Sequence, residues 1–216
     1  MTTLELRGGL RFGQFQYQAP GPPWEPLIID MSRVTWVDPY GLVGLASLIA
    51  SRRSELQVVS VIPPAQYDVA MYLARMNFEE HLGRHGVTIT GALPAHRRTE
   101  QGDFLLELQH FNDTVGAEAI ATLVFTRLAG EIANDVVDRV YEAVGELGNN
   151  VDEHSGSAVG GFMAAQTYRR GSPGEELIVA LGDAGVGLRR HLSTRYTVES
   201  DTAAITNSLS ARLGVV

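Results

Sequence analysis

Three polar residues recur at four-residue spacing in the segment Glu146-Leu-Gly-Asn-Asn150-Val-Asp-Glu-His154. On a helix that spacing makes one polar stripe. Asn150 offers a carbonyl oxygen to a hard cation, and Glu146, one turn earlier, offers a base that orients or deprotonates a nucleophile. Downstream, Asp183-Ala-Gly185-Val-Gly187 closes an apolar run with a carboxylate and two glycines. A loop carboxylate accepts a hydrogen bond from an exocyclic amine, and glycines let a backbone come close to a ligand. Taken together, these are the residue types that a site for magnesium and a purine nucleotide needs.

Each motif also suits an ordinary structural role. Glu146 alone suits a solvated helix face. Asn149-Asn150 suits a helix C-terminal turn, and His154 suits a helix end, where the backbone dipole favours it. Asp183 with its glycines suits a strand-to-helix turn. What favours the nucleotide site is order. A helix is followed by two strand-like runs, Phe162 to Tyr168 and Leu177 to Leu181, and then by the carboxylate–glycine turn. The two runs, separated by Gly171-Ser172-Pro173-Gly174, predict an antiparallel hairpin.

These motifs must be held by a core. With 44% hydrophobic and 19% charged residues in 216, a sizeable core is available and the composition argues against global disorder. The first hundred residues alternate strand and helix. Leu27 to Asp30 predicts a buried strand, after the proline-rich loop at 18–26. Asp38-Pro39 predicts a helix start, because aspartate caps free NH groups and proline suits the first position. Leu42, Leu45, Ala46 and Ile49 continue that helix. Leu56 to Ile62 predicts a second strand, Val69, Tyr72, Leu73 and Met76 a second helix, and Val87 to Ile89 a last strand. Residues 92–103 are polar and lack an apolar period, so they predict the junction. Leu105 to Leu108 predicts an edge strand. A helical period then runs from Thr114 to His154, divided at Gly130, with Val140, Val144, Leu147 and Val151 as its later apolar stripe. The fold class is therefore α/β (α+β), in two units, residues 1–97 and 98–216.

Composition narrows the function. A net charge of −8 argues against nonspecific binding to nucleic acid. With no cysteine, disulfides, thiolate catalysis and cysteine-held zinc are excluded. No run of about 18 apolar residues predicts a membrane helix, and the first residues lack the apolar core of a signal peptide. The expectation is a soluble, cytoplasmic protein with no membrane or nucleic-acid partner. The scattered arginine pairs, Arg189-Arg190 among them, read mainly as solvated surface, with a phosphate contact by Arg189 or Arg190 as the lesser alternative. Arg190 also stands where a dinucleotide fingerprint wants a small residue, and no Gly-x-Ser-x-Gly elbow is present, so oxidoreductase and triad-hydrolase readings are not favoured.

From roughly residue 115 to 190 the chain resembles the GHKL ATPase superfamily, with its nearest likeness to anti-sigma-factor serine kinases and histidine-kinase-like ATPases. Glu146-x-x-x-Asn150 matches the acidic–asparagine helix motif, and Asp183-x-Gly185-x-Gly187 the first glycine motif. The resemblance implies ATP or ADP with magnesium as cofactors, Asn150 as the metal ligand, Asp183 on adenine, Gly185 and Gly187 lining the pocket and Glu146 as general base. His154 falls where such kinases often carry a histidine. Residues 25–80 resemble a STAS domain through Leu27-Ile-Ile-Asp30 and Asp38-Pro-Tyr-Gly41-Leu42.

Two departures accompany the likeness. Pro39 and Tyr40 stand where many STAS antagonists carry a phosphorylatable serine, so a serine switch at that spot is excluded. No lid and no second glycine motif follow Gly187 before Val216, which implies a GHKL unit truncated before those parts and argues against turnover. Two functions are therefore expected. One is an ATP- and magnesium-binding signalling regulator, with protein serine kinase or ATPase chemistry left open. The other is a non-catalytic interaction module in a partner-switching pathway. Either implies a protein partner of the sigma-factor or antagonist type, and a homodimer is left open.

Overall fold

The computed structural model describes residues 1–11, 21–22, 24–95, 105–128, 134–169, 175–194, 196–204 and 206. Two sheets and two helical layers alternate through the molecule. The first sheet has the order β1-β2-β3-β4, comprising β1 (Thr2–Leu10), β2 (Leu27–Val37), β3 (Val59–Ile62) and β4 (Thr88–Ile89), all parallel. Along β2, Leu27, Ile29 and Met31 are buried while Ile28, Asp30 and Ser32 are half-buried. That period of two means one face carries the core. The crossover helices α1 (Pro39–Ser54), α2 (Tyr67–Arg75) and α3 (Phe78–Arg84) all serve that face.

α1 begins as its sequence predicts. Asp38 Oδ1 accepts from the Gly41 amide at 2.8 Å, and Pro39 occupies the first turn. Gly41 is required by packing, because a Cβ there would overlap the Leu10 carbonyl at the end of β1. Leu42, Val43, Leu45, Ala46, Ile49 and Ala50 are buried on every side of the helix. A helix that is apolar all round belongs between two apolar surfaces. Its second surface is the other sheet.

That second sheet is antiparallel, in the order β5 (Leu105–Phe111), β6 (Gly161–Arg169), β7 (Glu175–Asp183). Phe162, Ala164 and Ala180 join the core formed with α1 and the first sheet. Met163, Ala165, Leu177, Val179 and Leu181 face the opposite cluster, built with α4 (Thr114–Leu128) and α5 (Asn134–His154). Burial on both faces explains the unbroken apolar run from Gly161 to Ala165. α4 and α5 pack closely because Gly148 sits against Ala117, leaving no space for a Cβ. A short helix α6 (Gly187–Leu192) follows the glycine turn.

The mixed α/β class stands as expected, and the hairpin of β6 and β7 is present. Several details differ. β1 and α3 had no clear sequence signal. β3 begins at Val59, while Leu56 is 87% exposed with a φ of 63°, so the strand is shorter than its apolar letters. Leu147 is 50% exposed, and Gly148 takes its place in the buried stripe. Most of the expected junction, the dividing Gly130 and the Gly171–Gly174 turn lie outside the described residues. Among the described residues no helix is long and apolar enough to cross a membrane.

Candidate functional site

The site is built around the C-terminal end of α5. Val137, Val144, Gly148, Val151 and Ser155 form its buried line. One flank meets α4: Gly148 touches Ala117, and Asp152 Oδ2 accepts from the Thr114 amide at 3.0 Å and its hydroxyl at 2.8 Å. Those hydrogen bonds, the hydroxyl's first, hold the exposed Asp152 carboxyl below its ordinary pKa. At about 100° per residue, Asn150 and His154 fall on the opposite flank, turned away from α4. α4 contacts β5 and α5 contacts β7, so this flank overlooks the β7 side of the sheet. Asn150 is half-buried there, whereas Glu146 and His154 are exposed. The polar stripe drifts about 40° with each four-residue step, which leaves Glu146 nearest to solvent.

The carboxylate–glycine turn is fastened to that helix end. Asp183 Oδ1 accepts from the Gly185 amide at 2.6 Å, an Asx-type closure that fixes the turn and commits one carboxylate oxygen. Val186 N–H donates to the Ser155 carbonyl at 2.8 Å. Gly185 lies against the same Ser155 backbone, so closely that a Cβ would overlap its carbonyl. Gly187 needs glycine for another reason, a φ of +74° in open space. The two glycines therefore answer two demands. The close approach at Gly185 is to the protein's own helix end.

Strand parity places Asp183. It continues the series Leu177, Val179, Leu181, whose side chains pack toward α4 and α5. Its cross-strand neighbour is Gly161, whose bare α-carbon is covered by the Phe111 ring. Asp183, the end of α5 and α6 thus share one face of the second sheet. His154 and His191 of α6 bring their rings to 5.1 Å between centroids, which joins a third element to the site.

Ser155, which carries no sequence expectation of its own, is the anchor of the turn. Its carbonyl holds the turn, while its hydroxyl donates to the Val151 carbonyl at 2.5 Å and accepts from the Ser157 amide at 3.0 Å. The available signal was Ser155-Gly156 after an apolar helical stripe, and Gly156 indeed has φ of +60°. Where β7 ends, α1 and the strand enclose a cavity of about 330 Å³ lined by Tyr40, Ser47, Gly182 and Gly185 among others, and Asp183, at the last position of the strand, borders this cavity as well. Sequence spacing within either half could not reveal it, since the walls come from both.

The donor set would offer a magnesium ion one side-chain oxygen, that of Asn150. Among the described residues no group of three or more histidines and carboxylates could hold a metal. A single amide oxygen suits a cation whose other ligands are phosphate and water. Asn150 would be its protein ligand. In comparisons with known proteins, the chain matches no protein-family model, no curated protein and no solved structure.

Proposed function

We propose that this chain is an ATP- and magnesium-binding signalling regulator of the anti-sigma-factor kinase and histidine-kinase-like ATPase type. The observation that supports the reading best is the clamp between Val186 and Ser155, which joins the two sequence motifs on one sheet face. Asp183 keeps a second carboxylate oxygen for the exocyclic amine of adenine after Oδ1 has closed the turn. Asn150 offers its amide oxygen to the metal, which when bound offsets phosphate charge. Glu146 is exposed, so a hydroxyl on a protein substrate can reach it as a general base. His154 borders the same space beside His191. The partner expected from this type is a sigma-factor or antagonist-type regulator.

Thermal unfolding with magnesium and ATP tests the proposal. Ligand at a hundred times its Kd stabilises the native state by about 2.7 kcal/mol. For a chain of this size that is a rise of roughly 5–10 °C in Tm. Asp183→Ala and Asn150→Ala should abolish the rise while keeping a cooperative transition. No shift of the unsubstituted protein at millimolar nucleotide rejects ATP binding.

A second reading is a non-catalytic interaction module. It is favoured by apolar side chains left on the α4–α5 surface, where Phe125 and Tyr141 meet edge to face at 5.7 Å and both remain exposed. Under that reading a captured protein partner binds Glu146→Ala as tightly as the unsubstituted chain. Loss of that binding with the fold intact counts against it.

A further inference from the structure

Phe125 of α4 and Tyr141 of α5 stand edge to face at 5.7 Å and are 37% and 39% exposed. They belong to the seam along which the two helices pack, with Asp152 against Thr114 and Gly148 against Ala117 further along it. One turn along α5 from Tyr141, Gly145 has no atom within 4 Å of where a Cβ would stand, so the seam opens there into a notch. The rim of this notch is acidic. At about 100° per residue, Asp138 falls about 60° from Tyr141 and Glu142 about 100°, while Glu118 falls about 20° from Phe125 on α4. All three carboxylates are exposed. Together α4 and α5 carry seven carboxylates against two arginines. Neither arginine offsets the rim. Arg127 Nη1 donates to the Leu105 carbonyl at 2.7 Å and to Glu107 at 3.2 Å, and Arg139 falls about 160° round α5 from Tyr141.

We propose that this notch docks a lysine- or arginine-bearing amphipathic helix of a protein partner. An apolar side chain of that helix sits over Gly145 against Phe125 and Tyr141, and its cations meet Glu118, Asp138 and Glu142. Charge selects the occupant. A second copy related by a two-fold axis would set these carboxylates against their own images, and nucleic acid or an anionic membrane would meet them with phosphate. Exposed aromatic side chains inside a polar rim are the usual anchors of a protein interface, and helix-in-groove docking needs one apolar stripe on the partner. The site rests on the interaction-module reading and not on the nucleotide one, since Asn150 and His154 lie on the opposite flank of α5.

Titration of the full chain with a synthetic leucine–lysine amphipathic helix of about five turns, and with its leucine–glutamate counterpart, tests it. The cationic helix should bind with an affinity that falls as salt rises, and it should shift the backbone NMR signals of Phe125, Tyr141 and Gly145. Phe125→Ala with Tyr141→Ala should weaken it at least about tenfold at unchanged net charge. Glu118→Gln, Asp138→Asn and Glu142→Gln together should weaken it and flatten the salt dependence, and Glu153→Gln should do neither. Gly145→Gln fills the notch with a better helix former, so it should block the peptide in a protein that still folds, whatever the aromatic pair does for stability. Signals that shift elsewhere, or binding that Gly145→Gln leaves intact, overturn this site and spare the interaction-module reading. No binding, or equal binding of the anionic helix, overturns the site as well. A dimer in sedimentation that Gly145→Gln dissociates also overturns it, and gives the face to a second copy.

Discussion

Replacing Gly185 and Gly187 by alanine, one at a time, separates the two reasons for glycine in the turn. At Gly185 the new methyl group meets the Ser155 carbonyl oxygen, its carbon and the Ser155 Cβ. None of these is the free end of a flexible side chain. Either α5 withdraws or the turn does, and in both cases the Val186–Ser155 hydrogen bond of 2.8 Å is lost or stretched. Overpacking costs about 1–3 kcal/mol and a backbone hydrogen bond about 1 kcal/mol, so the expected loss is about 2–4 kcal/mol. At Gly187 nothing lies within reach of a Cβ, and only the φ of +74° is unfavourable. That costs about 1–2 kcal/mol, partly offset by about 0.4–1 kcal/mol from a stiffer unfolded chain. Gly185→Ala should therefore be the more damaging, by about 2 kcal/mol at the middle of these ranges. Denaturant unfolding gives the stabilities directly, and a lowered Tm by roughly 5–15 °C for Gly185→Ala gives a second measure. The clamp also predicts that Gly185→Ala weakens magnesium-ATP binding in whatever fraction remains folded, because the turn bearing Asp183 has moved. A Gly185→Ala protein as stable as Gly187→Ala, with unaltered nucleotide binding, refutes the close-packing explanation and the positioning role of the clamp.

Acidification is expected to weaken the contact between α3 and the second sheet. His85 lies 5.6 Å from His110 and 5.9 Å from Phe162 by ring centroids, and His81 sits beside the same phenyl ring at 6.5 Å. Burial lowers the pKa of both His81 and His85; Arg84 and His110 lower both further and Arg53 that of His85 alone, against the opposing pull of the Leu108 carbonyl and of Glu80 on His81. A folded pKa below the unfolded one means the unfolded state binds protons first, so stability is full above about pH 6.5 and falls as pH drops through that value toward the folded pKa. Unfolding free energies measured between pH 8 and pH 5 should show this fall, and His85→Gln should shrink it; a flat profile rejects it. Residues 98–216 produced alone should aggregate or stay molten, since removing α1 uncovers Phe162, Ala164, Ala180 and Leu108. A monomeric, cooperatively folding fragment disproves that dependence.

The sequence announced its elements where local chemistry is strong. Asp38-Pro39 named the start of α1 because a cap and a first-turn proline act within four residues. The spacing of Val69, Leu73 and Met76 named α2, and the paired runs on either side of residues 170–174 named the hairpin. β1 was silent because Thr2 to Leu10 alternates imperfectly and contains Gly8-Gly9, and its register with β2 slips at both Arg7 and Gly9. α3 was silent because it is a single short helix entered through Asn77 at φ of 57°. Leu147 misled for a tertiary reason. Helical spacing puts it near the apolar stripe, but the close approach of α4 favours the neighbouring Gly148. The candidate site was legible as residue types. What holds it, the Ser155 carbonyl, is a backbone group that no residue pattern encodes.

The placement of Asp183 follows from packing on both faces of β7. On one face Leu177, Val179 and Leu181 meet the α4–α5 cluster. On the other, Gly182 lies under Val43 and Ser47 of α1, the former at 3.0 Å from where a Cβ would stand. A strand pinned from both sides cannot slip by one residue without burying Asp183 toward α1 and turning Gly182 outward. The Gly182 contact therefore sets the register that delivers the carboxylate to the side where α5 ends. α1, which supplies none of the residues assigned to the nucleotide, is in this sense a positioning element of the site, and the two halves of the chain share one geometry through it.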